Sequence, residues 1–248
     1  MLARVRAALS RPTTTSAPRE LPRFDSQTPA ADVESLSDEF SEELQKVGGQ
    51  VARVHSGDEV GNYVLDLMRL SVDASVAVSD GQLLQELSIG QWLLSRNTRV
   101  VPCLEEVAVR GQTNLEPQHL HEAAVEVTSM EEYKRVLLDC DVGVTSADYA
   151  LADTGTLVLM SGGEQHRLIS LLPPVHVCLL APSRIFPSLT QLLAYINNEF
   201  YSRERPPHAL TCITGPSRTA DIEHTLTMGV HGPKSVHVLL YSPAGQSD

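Results

Sequence analysis

"VGVTSADYALADTGTLVLMSGGEQHRLISLLPPVHVCLL", residues 142–180, contains three apolar runs of strand length. The first, 142–146, ends in Thr145 and Ser146; the others are "TLVLM" at 156–160 and "VHVCLL" at 175–180. Between the last two, Gly162-Gly163 supplies a turn, a short apolar helix follows, and Pro173-Pro174 stops it and restarts the chain as a strand. Strands apolar along their whole length are buried on both faces, which is the habit of parallel sheets covered by helices.

Working outward, the same alternation recurs. Residues 32–47 place Leu36, Phe40, Leu44 and Val47 at helical spacing, and Gly48-Gly49 ends that element. "QVARVH" reads as a strand; Ser56 and Glu59 then have capping-box spacing before a helix carrying Val60, Val64, Leu67 and Met68 on one face. "ASVAVS" at 74–79 and "TRVVPC" at 98–103 are strand-like, with one or two short helices between them. Residues 104–128 read as irregular. Ser129 and Glu132 cap another helix, and a further helix starts at Pro187. Strands "ALTCIT" (209–214) and "VHVLLY" (236–241) complete the series. The pattern predicts an α/β fold, a mainly parallel sheet with helices on both faces.

The chain has 248 residues and a formal net charge of -12. Residues 1–31 read as an appendage, a helix from Leu2 to Leu9 followed by a Pro/Ser/Thr linker, and 32–248 as one α/β domain. The Arg-rich, acid-poor start also has the composition of an organellar transit peptide. The acidic body argues against non-specific nucleic-acid binding. No apolar run approaches the ~20 residues that span a bilayer, so no membrane span and a cytoplasmic location are expected. Cys103, Cys140, Cys178 and Cys212 are widely separated and form no C-x-x-C pair, a spacing that argues against a zinc or iron-sulfur centre and for buried, reduced thiols.

In open parallel sheets, ligands bind beyond the carboxyl ends of strands, so polar residues directly after apolar runs are the candidates. The first set is Thr145, Ser146 and Asp148 with Asp153, Thr154 and Gly155, able to meet a ligand hydroxyl or phosphate; alternatively, Ser146 caps a helical turn over 147–152. The second is Glu164, His166 and Arg167, where Arg167 could clamp a carboxylate and His166 shuttle a proton. The third, "TGPSRTADIE" at 214–223, offers Gly215, Ser217, Arg218, Thr219, Asp221 and Glu223 in an anion-binding arrangement before a helix-like start; in the plainer reading Thr219 is only an N-cap. His231 and Gly232 lie in a turn before the last strand. The three loops are expected to wall one pocket.

Through "VGVTSADYALADTGTLVL", "RLISLLPPVHV" and "TGPSRTADIEHTLTMGVHGPKSVHVLL" the chain resembles the lactate-utilisation protein C family, built on the LUD domain. That resemblance implies a fold similar to the ribose-phosphate isomerase and CoA-transferase superfamily. It also implies a place in a cytosolic system oxidising L-lactate to pyruvate, with no cofactor on this chain and iron-sulfur clusters on partner proteins. It assigns no catalytic residue. Two other functions stay open: a sugar-phosphate isomerase or CoA/acyl transferase using Glu164 or Glu223 as base or nucleophile, and a purely structural or regulatory role within a complex.

Overall fold

The computed structural model describes residues 32–68, 74–101, 129–161, 165–200, 209–220, 226–229 and 231–243. The expected N-terminal helix and linker, the irregular stretch 104–128, and Glu164, Asp221 and Glu223 lie outside the described residues.

Helix α1 (Val33–Lys46) starts at Asp32, whose carboxylate accepts the Glu34 amide at 3.1 Å. It buries Leu36, Phe40 and Leu44, and Gly48, at φ +89°, turns the chain into β1 (Gln50–Val54). Before α2 (Gly57–Met68) the expected capping box forms: Ser56 Oγ accepts the Glu59 amide at 3.2 Å and Glu59 accepts the His55 amide at 2.9 Å. Then come β2 (Ser75–Val78), α3 (Gln82–Glu86), α4 (Ile89–Ser95) and β3 (Arg99–Val101). Helix α5 (Met130–Leu138) is capped by Ser129, as its spacing predicts, and leads into β4 (Val142–Ser146).

Strands β5 (Tyr149–Leu151) and β6 (Thr156–Ser161) flank a single 3-10 turn at Ala152–Thr154. They are followed by α6 (Gln165–Leu171), β7 (Val175–Leu180), β8 (Ile185–Phe186), α7 (Leu189–Phe200) and β9 (Ala209–Ile213). The ribbon β10 (Arg218–Ala220) and β11 (Leu226–Met228) precedes β12 (Ser235–Tyr241).

Six strands form the main sheet in the order β1-β12-β7-β4-β2-β3, every neighbouring pair parallel. One face, with Val76, Val78, Val142, Val144, Val177 and Leu179, packs on Val60 and Val64 of α2, Leu84 of α3 and Leu93 of α4. On the opposite face, Ala77 and Val101 meet α5 and Ile169 of α6. Elsewhere on that face Cys178, Leu180, Val238 and Leu240 meet α1 and a second, four-stranded sheet ordered β8-β5-β6-β9. The outer side of this second sheet, Tyr149, Leu151, Val158 and Phe186, is closed by Leu192 and Ile196 of α7. The α/β expectation with helices on both faces therefore holds, with an added β layer.

Three local readings are corrected. "TLVLM" and "ALTCIT" are strands, but they pair antiparallel with each other in the second sheet instead of extending the parallel one; apolar runs report burial and not the partner. The helical turn at 147–152 is instead β5, because Asp148 to Leu151 pair with β6. After Gly215 the chain enters an antiparallel ribbon, with Arg218 opposite Met228, so Thr219 is a strand residue and not an N-cap. Among the described residues no helix is long and apolar enough to cross a membrane.

Candidate functional site

The candidate residues divide between the two ends of the main sheet. At the carboxyl end of β4, Thr145 is fully buried and shares a 2.7 Å hydrogen bond with His176 Nε2; it faces the core and not a pocket. Ser146, one residue on, reaches the sheet edge, where its hydroxyl lies against Gly81 in the loop after β2. Asp148 turns to the second sheet and accepts the Met160 amide at 2.6 Å, fixing the β5–β6 hairpin.

The other group gathers around the end of α1, near the amino ends of β1 and β12. Thr154 donates to Asp153 at 3.2 Å, Thr156 donates to Thr154 at 2.9 Å, and Thr156 and Thr214 share a bond of 2.7 Å. This hydroxyl chain ties the 152–155 turn to the 214–218 loop. Gly155 is required there: its φ is +60°, and a Cβ would stand 2.3 Å from the Leu44 amide nitrogen. Gly215, at φ +79°, approaches Val47 equally closely. The Arg218 guanidinium donates to the Val47 carbonyl at the end of α1, placing a cation where the helix dipole is negative. The Ser217 amide donates to the Pro233 carbonyl at 2.9 Å, and Gly232 lies against Ser217 and Leu171. His231 is exposed in that same turn.

Two of the three loops, with His231 and Gly232, thus meet at one end. Ser146 stands at the other, a strand length of ~16 Å away. His166 and Arg167 occupy the first turn of α6, Arg167 exposed. The expected single pocket is replaced by two separate edges, because β9 runs antiparallel in the second sheet and delivers "TGPSR" to the amino end.

Burial controls the titratable groups nearby. His176, wholly enclosed, is held down to about 3 by desolvation and, secondarily, by His237 on the neighbouring strand. His237, bonded to the Tyr63 hydroxyl at 3.0 Å, is lowered by desolvation as well. The thiols of Cys140 and Cys178 are pushed up to about 11 and about 12 by burial, so both stay protonated at neutral pH. Metal and cluster ligation needs thiolates, so these two cysteines do not fit an iron-sulfur centre. Among the described residues no group of three or more His, Cys, Asp or Glu side chains is placed to hold a metal ion.

Sequence reasoning missed Ser79, Gly81 and His176. The signal for the first two was present, since "SDG" directly follows the strand "SVAV" just as "TS" ends "VGVTS".

Comparison with known proteins gives a consistent picture. The LUD domain family model matches residues 37–241. Lactate utilization protein C of Halalkalibacterium halodurans is 39% identical over 117 residues, 46% of this chain and 51% of its own length. Its namesake from Geobacillus sp. (strain WCH70) is 42% identical over 101 residues, 40% of this chain and 42% of its own. The chain therefore spans about half the length of these curated relatives. Uncharacterized protein YkgG of Escherichia coli (strain K12) matches more extensively, at 32% identity over 184 residues, 72% of this chain and 75% of its own. Among solved structures, a DUF162 family protein from Deinococcus radiodurans has a TM-score of 0.51 at 18% identity, covering 86% of this chain and 99% of that one. At that identity the likeness speaks for the fold.

Proposed function

The chain belongs to the LUD domain family, and from that membership we propose that it is a component of a lactate-utilising system, working beside iron-sulfur partner proteins in the oxidation of L-lactate to pyruvate. The observation that carries the reading is the identity of about 40% to proteins called lactate utilization protein C. The chemistry removes two electrons and two protons from lactate; the partners' clusters are the oxidant in this proposal, and the present chain is the cluster-free member. The protonated state of Cys140 and Cys178 supports that division of labour. The chain's contribution is to hold a small substrate, or the partners, at the loops where its strands end.

The test is lactate-dependent dye reduction by the reconstituted partners with and without this chain. Turnover is expected to need it, and turnover unchanged by its omission overturns the proposal.

A further inference from the structure

Strands β2 and β4 are parallel neighbours that send the chain to opposite faces of the main sheet. After β2 it enters α3, whose Leu84 lies in the core of the helix-covered face; after β4 it enters β5, whose Ala150 lies in the core between the two sheets. Where adjacent parallel strands part in this way, a crevice opens beyond their carboxyl ends, and such switch points are where open α/β sheets bind small molecules.

Ser79, Gly81 and Ser146 meet at this crevice. The Ser79 amide donates to the Val144 carbonyl at 2.9 Å, carrying the β2–β4 ladder one residue past the strand and fixing the side chain. A Cβ on Gly81 would lie 2.0 Å from Ser146 Oγ and 3.6 Å from Ser79 Oγ, so both hydroxyls converge on a spot that only glycine leaves open. Ser79 is only 4% exposed, and its Oγ has no hydrogen-bond partner among the described residues. A buried hydroxyl left in that state is destabilising, and nothing in the packing of the loop demands it in place of alanine.

We infer that this crevice binds a small hydroxylated metabolite of hydroxy-acid size, its alcohol group pairing with Ser79 and Ser146. The inference deepens the lactate-utilisation reading and rests on it. A serine hydroxyl both donates and accepts, as an alcohol does, so the pair suits a neutral hydroxyl. Asp80, half-buried between Ser79 and Gly81, opposes a bare anion at the same spot. A hydroxy acid therefore enters alcohol first, with its carboxylate directed outward.

Calorimetric titration of the full chain with L-lactate, pyruvate and inorganic phosphate tests this. L-lactate is expected to bind, while pyruvate, the same size without the alcohol, and phosphate bind at least about tenfold more weakly, the worth of one hydrogen bond. Ser79→Ala is expected to leave the melting temperature unchanged or raised, because it deletes an unpaired buried group, yet to weaken lactate about tenfold. Gly81→Ala, which pushes the Ser146 hydroxyl aside, weakens it too. Lactate binding equal in Ser79→Ala and the parent, pyruvate binding equal to lactate, a lowered melting temperature in Ser79→Ala, or no lactate binding at all each overturns the site. If the reconstituted turnover still requires the chain but ignores Ser79→Ala, the site fails and the lactate reading stands; if turnover never requires the chain, that reading fails by itself.

Discussion

His176 shows how one buried side chain ties stability to pH. Its ring is wholly enclosed, bonded to Thr145 through Nε2 and with Nδ1 unpartnered among the described residues. In the unfolded chain it titrates near 6.5, and in the folded protein near 3. Between those values the unfolded state binds more protons, so stability is full above pH 6.5 and falls as the solution is acidified. The slope reaches ~1.4 kcal/mol per pH unit. His237, lowered in the same direction on the adjacent strand, adds to the loss. Urea midpoints measured from pH 7.5 to 4 should fall on the acid side, and His176→Gln should flatten that limb; a parent protein with a level profile would contradict the assignment. None of this was visible in "VHVCLL", because a histidine in an apolar run reads the same whether its neighbours satisfy it or not. Ser79 and Gly81 were legible, as small polar residues directly after a strand. What could not be read was the approach of Gly81 to Ser146, which depends on β2 lying beside β4.

Among the elements, α1 carries the most. Phe40 and Leu44 are fully buried and belong to the core shared by both sheets, so one helix face secures two β layers. Phe40→Ala should cost about 3–5 kcal/mol in urea unfolding, with Phe40→Leu recovering much of it; a cost below 1 kcal/mol would mean that α1 is peripheral. The helix itself was plain in the sequence from its spacing, its acidic start and the Gly48-Gly49 stop. The strands were plain too, and so were the capping boxes at Ser56 and Ser129. Pairing was not: Thr156 to Met160 carry the same apolar signal in either sheet, and only the register opposite Leu210 to Thr214 shows which one holds them. The ribbon starting at Arg218 was hidden for a related reason, since a Gly-Pro turn followed by Ser, Arg and Thr opens a helix or a hairpin equally well.

Across the whole molecule the layers run from α2, α3 and α4 through the parallel sheet to α1 and the second sheet, and then to α7. Trp92, the single tryptophan, sits in the first layer with its indole donating to Asp58 at 2.5 Å. Tyr149 and Tyr195 stack edge to face in the last. Because the core around α1 joins the two sheets, tryptophan fluorescence and tyrosine near-ultraviolet circular dichroism should report one coincident unfolding transition. Two separated transitions would show that the outer β layer opens by itself.

The strand order has a consequence for synthesis. Strand β1 is made early, yet its neighbour in the sheet is β12, with Gln50 opposite His237, and β12 also bridges β1 to β7. On the ribosome, residues 50–54 must wait until residues 235–241 have cleared the exit tunnel before they can dock. A nascent chain of this protein therefore carries an open sheet edge for most of its translation. The last strand threads into the gap between β1 and β7, so assembly finishes in the interior of the sheet and not at its rim.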